Sequence, residues 1–171
     1  SGVRYGLLES IRAYANDKLG HPGEMGPELR GPAAKAQAQQ RHASHFGQLG
    51  TAEALKALDR FGGGTRWEAL FMELDNLVAG TEYGTPVTAP HCCLAALKVL
   101  SMKGPMSLGV DVATEVLQRK GLPKRVQMLI EIERSRCLRI SGRLAEAREM
   151  VGANTSLAPE EPEEAAAVEQ V

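Results

Sequence analysis

Thr65-Arg66-Trp67-Glu68-Ala69-Leu70-Phe71-Met72-Glu73-Leu74-Asp75-Asn76-Leu77-Val78 carries the cleanest periodicity in the chain. Trp67, Leu70, Phe71, Leu74, Leu77 and Val78 recur at steps of three and four. That spacing is one face of an α-helix; a half-buried strand would alternate instead. Thr65 stands where an N-cap belongs, and Glu68 three residues later completes a capping box. The spacing therefore predicts one amphipathic helix that begins behind Thr65, with Gly62-Gly63-Gly64 as a stop before it.

The same pattern extends in both directions. Leu8, Ile11, Ala15 and Leu19 predict an amphipathic helix over Arg4 to Leu19 that packs through this stripe, and repeated Gly and Pro make Gly20 to Pro32 a loop. Pro32 to Phe61 reads as one long helix or two, with Phe46, Leu49, Leu55, Leu58 and Phe61 supplying the apolar stripe. Gly47 and Gly50 weaken its middle, so a break is expected near Gly50-Thr51. Past the loop Gly84 to Pro90, His91 to Lys103 and Ser107 to Arg119 form one hairpin about Gly104-Pro105. Pro123 to Ile140 and Arg143 to Val151 form the next about Ser141-Gly142. Pro159 and Pro162 bound an acidic loop, and Ala165 to Val171 opens another helix.

Composition supports an all-helical reading. The chain has 171 residues, enough for one domain or a short helical array, and 43% apolar residues can bury a core. Aromatics are only 4% while Ala and Leu are abundant, which favours helix over sheet. A formal net charge of -1 gives no global field to attract nucleic acid or an anionic membrane. No apolar run reaches the length of a membrane span, and no signal-peptide pattern opens the chain. Three Cys leave at least one without an internal partner, which suits a reducing compartment and a cytoplasmic protein. The expected fold class is all-α: an array of antiparallel helices and helical hairpins, tetratricopeptide-like in its C-terminal half. Residues 1–84 read as a helical linker or junction region. Residues 85–171 read as the hairpins, the last unit truncated, with one continuous domain over both as the alternative.

The two hairpins overlay as a weak internal repeat. Gly142-Arg143-Leu144-Ala145-Glu146-Ala147-Arg148 resembles the turn and second helix of a tetratricopeptide repeat, where a small residue lets paired helices approach. Ala147 has that place here, and Gly109 followed by Ala113 has it in the earlier hairpin. The large aromatics of the motif's first helices are missing.

A wider resemblance rests on three patches. Arg4-Tyr5-Gly6-Leu7-Leu8-Glu9-Ser10-Ile11-Arg12-Ala13-Tyr14-Ala15 resembles a segment of bacterial STAND-type signalling NTPases and related transcriptional regulators. In those proteins it lies where the nucleotide-binding and winged-helix core hands over to a helical sensor arm. Arg41-His42-Ala43 with Phe46 resembles the helix that follows the junction. Glu73-Leu74-Asp75-Asn76-Leu77 with Ala79 resembles a helix further on. The resemblance implies a sensor or partner-binding arm, with the chemistry in a core outside this chain.

Residue types that carry chemistry are present but not in catalytic patterns. Gly62-Gly63-Gly64-Thr65-Arg66 lacks the Lys of a P-loop. His42 and His45, three apart, share a helix face but lack the Glu of a zinc-helix motif. His91-Cys92-Cys93 are adjacent, so on a helix they point about 100° apart. Cys93 falls with Leu97 and Leu100; Cys137 falls with Val126, Ile130 and Ile140; both patterns read as core. Asp75-Asn76 reads as a structural pair that hydrogen-bonds a neighbouring element. Glu133 lies on a core stripe, where a carboxylate needs a partner, expected to be an Arg.

Charge segregation is the remaining functional signal. Basic residues crowd Arg119 to Arg148, opposed only by Glu131, Glu133 and Glu146. After Pro159 every charge is acidic: Glu160, Glu161, Glu163, Glu164 and Glu169. Arg125, Arg136 and Arg139 project from one side of the long helix and are the expected partner-binding residues. The function expected is a non-catalytic protein-interaction or sensor arm of a larger signalling NTPase or transcriptional regulator, without cofactor or metal. Its partner would be a protein or that NTPase core, with homodimerisation through exposed apolar faces as a further route. Neither nucleic acid nor membrane is an expected partner: the net charge draws neither, no apolar run is long enough to span, and Arg4 to Leu19 is not basic enough for a recognition helix. The alternative is a small metal-dependent or thiol enzyme using His42, His45 or Cys92.

Overall fold

The computed structural model describes residues 9–21 and 31–155. Those residues form α1 (Glu9–Gly20), α2 (Pro32–Gly47), a single 3₁₀ turn (Gln48–Gly50), α3 (Ala52–Leu58), α4 (Gly63–Met72), α5 (Leu74–Tyr83), α6 (Thr88–Lys103), α7 (Met106–Leu117), α8 (Lys124–Ile140) and α9 (Leu144–Thr155), with no strand among them. The all-α array of antiparallel helices and hairpins expected from periodicity is the observed architecture. No described helix is long and apolar enough to cross a membrane.

Helix α6 is the axis of the array. Ala89, Pro90, Cys92 through Leu97, Val99 and Leu100 are all buried, so the helix is covered on nearly every side. Helices α2 and α5 and the 3₁₀ turn pack against it, as do α7 and α8. One core region joins Cys93, Leu94 and Leu97 to Val110, Val112, Ala113, Val116, Ile130, Cys137, Leu138 and Ala147. The other joins Ala95, Ala96, Val99 and Leu100 to Leu58, Leu70 and Leu77. Both draw on α6, whose polar residues Thr88, His91, Lys98 and Ser101 keep to one narrow half-buried side, so apolar side chains cover the rest of the helix.

Small residues set how closely the helices approach. On α5, a Cβ added at Gly80 would lie 2.6 Å from Cys92 Sγ and 3.7 Å from Ala43 Cα, so α2, α5 and α6 cross where only Gly fits. On α7, a Cβ at Gly109 would lie 2.9 Å from Cys137 Sγ. Gly109, Ala113 and Ala147, the small residues expected between hairpin helices, are all buried.

The break expected near Gly50-Thr51 is present. Helix α2 ends at Gly47, the chain makes its 3₁₀ turn, and the Thr51 side chain caps α3 by accepting from Ala54 N at 3.3 Å.

Several expectations are corrected. The helix read from Thr65 starts three residues earlier, behind Gly62 in the left-handed conformation (φ 79°). Thr65 is therefore not its N-cap: its hydroxyl donates to Gly62 O, and the Thr65-Glu68 capping box does not form. Nor is the helix continuous. It breaks at Glu73 (φ -99°, ψ 5°), where Glu73 N donates to Leu70 O in a tightened last turn. Neither Gly nor Pro marks this break.

In α1, Ile11 and Ala15 are exposed and Leu19 is half-buried, because among the described residues α2 is the main element packed against α1. Phe61 is fully exposed in the turn after α3, and Ile140 is 54% exposed, so neither joins the core stripe assigned to it. Residues 4–8 of the first expected helix, the loop over 22–30, the acidic loop and the helix at 165–171 lie outside the described residues.

Candidate functional site

Two of the motif patches meet in space. Arg41-His42-Ala43 lies on α2 and Glu73 to Leu77 spans the α4–α5 break. His42 Nε2 lies 3.3 Å from Asn76 Oδ1, and Asn76 Nδ2 donates to Glu73 Oε2 at 2.7 Å. Since the amide oxygen can only accept, His42 Nε2 carries the proton in this arrangement. His42 also stacks near Phe46, with ring centroids 4.6 Å apart, and meets the edge of Tyr83 at 6.3 Å. Asn76 thus has the structural role expected of it, tying the start of α5 to α2. The partner, His42, is 34 residues away and could not be read from local sequence.

His45 does not share this contact. It is exposed, stands edge-on to Phe46 at 4.9 Å, and lines a 430 Å³ cavity floored by Phe46, Leu49, Leu58 and Leu70, with Arg66 and Glu73 also on its wall. No group of three or more His, Cys, Asp or Glu among the described residues is placed to hold a metal.

The three cysteines are buried and unpaired. Cys92 Sγ donates to Ala43 O at 3.5 Å, and burial pushes its thiol up to about 11. Burial raises Cys93 further, with the neighbouring Cys92 adding to it, and burial also raises Cys137. A nucleophilic Cys needs the opposite environment. His91 is lowered by burial, which keeps its ring neutral at neutral pH, so it supplies no positive charge to Cys92. The expected result is that Cys92, Cys93 and Cys137 label with an aromatic disulfide at least a hundredfold more slowly in the folded protein than in denaturant. Rapid labelling of any one thiol in the folded state would contradict this placement.

Glu133 is 7% exposed on α8 and has two cationic partners. Lys98 Nζ of α6 donates to Oε1 at 2.6 Å, and Arg136 Nη1, one turn along α8, reaches Oε2 at 3.4 Å. The expected Arg is present, but the closer partner is Lys98, which sequence reading missed.

The same helix carries the basic face. Arg125, Arg136 and Arg139 are all exposed. Of the three, Arg136 is already engaged by Glu133, while Arg125 and Arg139 form no ion pair among the described residues. Other members of the basic cluster serve the fold. Arg119 returns to the α5–α6 turn, donating to Gly84 O and Glu82 O at 3.2 Å each, and Arg143 pairs with Glu146.

Beside the arginines lie Met128 (51% exposed), Leu129 (38%), Ile132 (53%) and Ile140 (54%). Near the end of α8, Ser101 and Met102 of α6 join Arg136, Arg139 and Ile140 around a shallow groove. The sequence reading missed these apolar residues as surface, although helical register carries the signal. At about 100° per residue, Met128, Leu129 and Ile132 fall with Arg125 and Arg136, away from Ile130 and Cys137. Large apolar side chains gathered on one exposed face, rather than scattered singly, mark interaction surfaces. The chain matches no known protein family, no curated protein and no solved structure.

Proposed function

We propose that this chain is a non-catalytic protein-interaction or sensor arm, in which the outer face of α8 receives a protein partner. The observation that carries this reading is the combination on that face: Met128, Leu129, Ile132 and Ile140 stay exposed beside Arg125, Arg136 and Arg139. Exposed apolar area supplies affinity and flanking cations supply orientation and on-rate. The buried thiol of Cys92, and the separate surroundings of His42 and His45, favour this over chemistry at those residues.

The wider setting is also a proposal. The three motif patches suggest an arm of a STAND-type signalling NTPase or transcriptional regulator, and the hairpins α6–α7 and α8–α9 suggest tetratricopeptide-like stacking. The outer side of α1, with Ile11 and Tyr14 exposed, would then face such a core. Unpaired buried thiols fit a cytoplasmic protein.

Arg125→Glu with Arg139→Glu is the clean test of the α8 face, because Arg136→Glu would also place a second carboxylate beside buried Glu133. The immobilised double variant should lose the proteins that the wild-type chain captures, with helical circular dichroism and melting temperature unchanged. Equal capture by both would overturn the assignment.

A further inference from the structure

The outer face of α8 has a complementary segment in the same chain. Residues 156–171 follow α9 and hold Glu160, Glu161, Glu163, Glu164 and Glu169 with no Lys or Arg, together with Ala165, Ala166, Ala167, Val168 and Val171. That is acid beside small apolar side chains, the counterpart of arginine beside exposed Met, Leu and Ile. We propose that this acidic segment seats on the outer face of α8 and occupies it until a protein partner displaces it. The proposal rests on the reading of that face as a protein-binding surface.

Chain geometry allows the contact. The short Ser141–Arg143 turn joins α8 to α9, and the two helices pack together. Helices so joined run antiparallel, which carries Thr155 back toward the Lys124 end of α8. From Arg125 to Arg139 the face is about 21 Å long at 1.5 Å per residue. The segment leaves Thr155 at the Arg125 end and covers 14 residues to Glu169, a reach of up to about 46 Å if extended. Glu160 and Glu161 then come first to Arg125, and Glu169 to the Arg136 and Arg139 end. The Ala165 to Val168 run falls between them, over Leu129 and Ile132. Both ends of the face carry a cation that forms no ion pair among the described residues, Arg125 at one and Arg139 at the other.

A tethered segment competes at an effective concentration on the order of millimolar, so even weak docking keeps the face largely covered. Charge makes the contact sensitive to salt.

The test uses the 171-residue chain and a fluorescent synthetic peptide of residues 157–171, with binding read by anisotropy at low ionic strength. In the opened variant, Glu160, Glu161, Glu163, Glu164 and Glu169 are all changed to Gln. The expected result is that the peptide binds the opened variant at least tenfold more tightly than it binds wild type. Adding Arg125→Glu and Arg139→Glu to the opened variant should abolish binding. Equal binding to wild type and the opened variant would overturn the proposal while leaving the α8 face as a protein-binding surface. No peptide binding to the opened variant, or binding that survives the two charge reversals, would also overturn it. Partner capture by wild type against Arg125→Glu/Arg139→Glu would then judge the face separately.

Discussion

Gly50→Ala should cost the fold about 3 kcal/mol, the upper part of the range for overpacking a tight contact. Gly50 ends the 3₁₀ turn and is buried against α6, where an added Cβ would overlap the backbone carbonyl of His91. A flexible side chain could swing aside, but a carbonyl inside a helix covered on nearly all sides cannot. Relief requires the 3₁₀ turn to lift away from α6, and Leu49 and Leu55 would lose their packing with it. For a chain of this size such a loss lowers the melting temperature by about 10 °C. Gly64→Ala is the matched control. It lies inside α4 with nothing within 4 Å of its added Cβ, so it should gain a few tenths of a kcal/mol from helix propensity. Similar melting temperatures for the two variants would refute the close contact at Gly50.

The second large effect lies at Glu133. Lys98→Met removes its 2.6 Å partner and leaves the carboxylate with Arg136 alone, at 3.4 Å and half exposed. Breaking a buried pair from one side costs about 3–5 kcal/mol. Because Lys98 is 30% exposed and water screens part of the attraction, about 2–3 kcal/mol is expected. Glu133→Leu should cost less, since Lys98 can turn its ammonium to solvent. The double variant, Lys98→Met with Glu133→Leu, replaces the pair with apolar volume and should return to within about 1 kcal/mol of wild type. Urea unfolding of the four proteins gives the coupling energy. Strict additivity would mean that Lys98 and Glu133 contribute independently.

How much of this was legible depended on the range of each interaction. Helical periodicity is local, so α6, α7, α8 and α9 and the break after Gly47 could all be read from nearby residues. The partner of Glu133 was legible as a requirement, because a carboxylate between Ile130 and Cys137 has to be satisfied. Lys98 was not, since it lies 35 residues away on a helix whose neighbours give no sign of it. The break at Glu73 was invisible for a different reason. Met72, Glu73 and Leu74 all favour helix, and Leu70 and Leu77, seven residues apart, would share one face with or without the interruption. The stripe on α1 was misread because periodicity reports that a face is apolar and not that anything covers it. The arginines of α8 were readable as a charge cluster; Met128, Leu129 and Ile132 share their face by helical register, a signal that a reading of the charges alone passes over.

Helix α6 has a consequence for how the array can come apart. It supplies buried side chains to both core regions, and Arg119 returns from the end of α7 to hold the turn that leads into it. Neither half of the chain owns its own interior. Residues before the turn have no floor without α6, and residues after it lose the cover that α2 and α5 provide. The molecule is therefore built like an arch with one keystone: its halves stand together and fall together, although the hairpins on either side look like separable units.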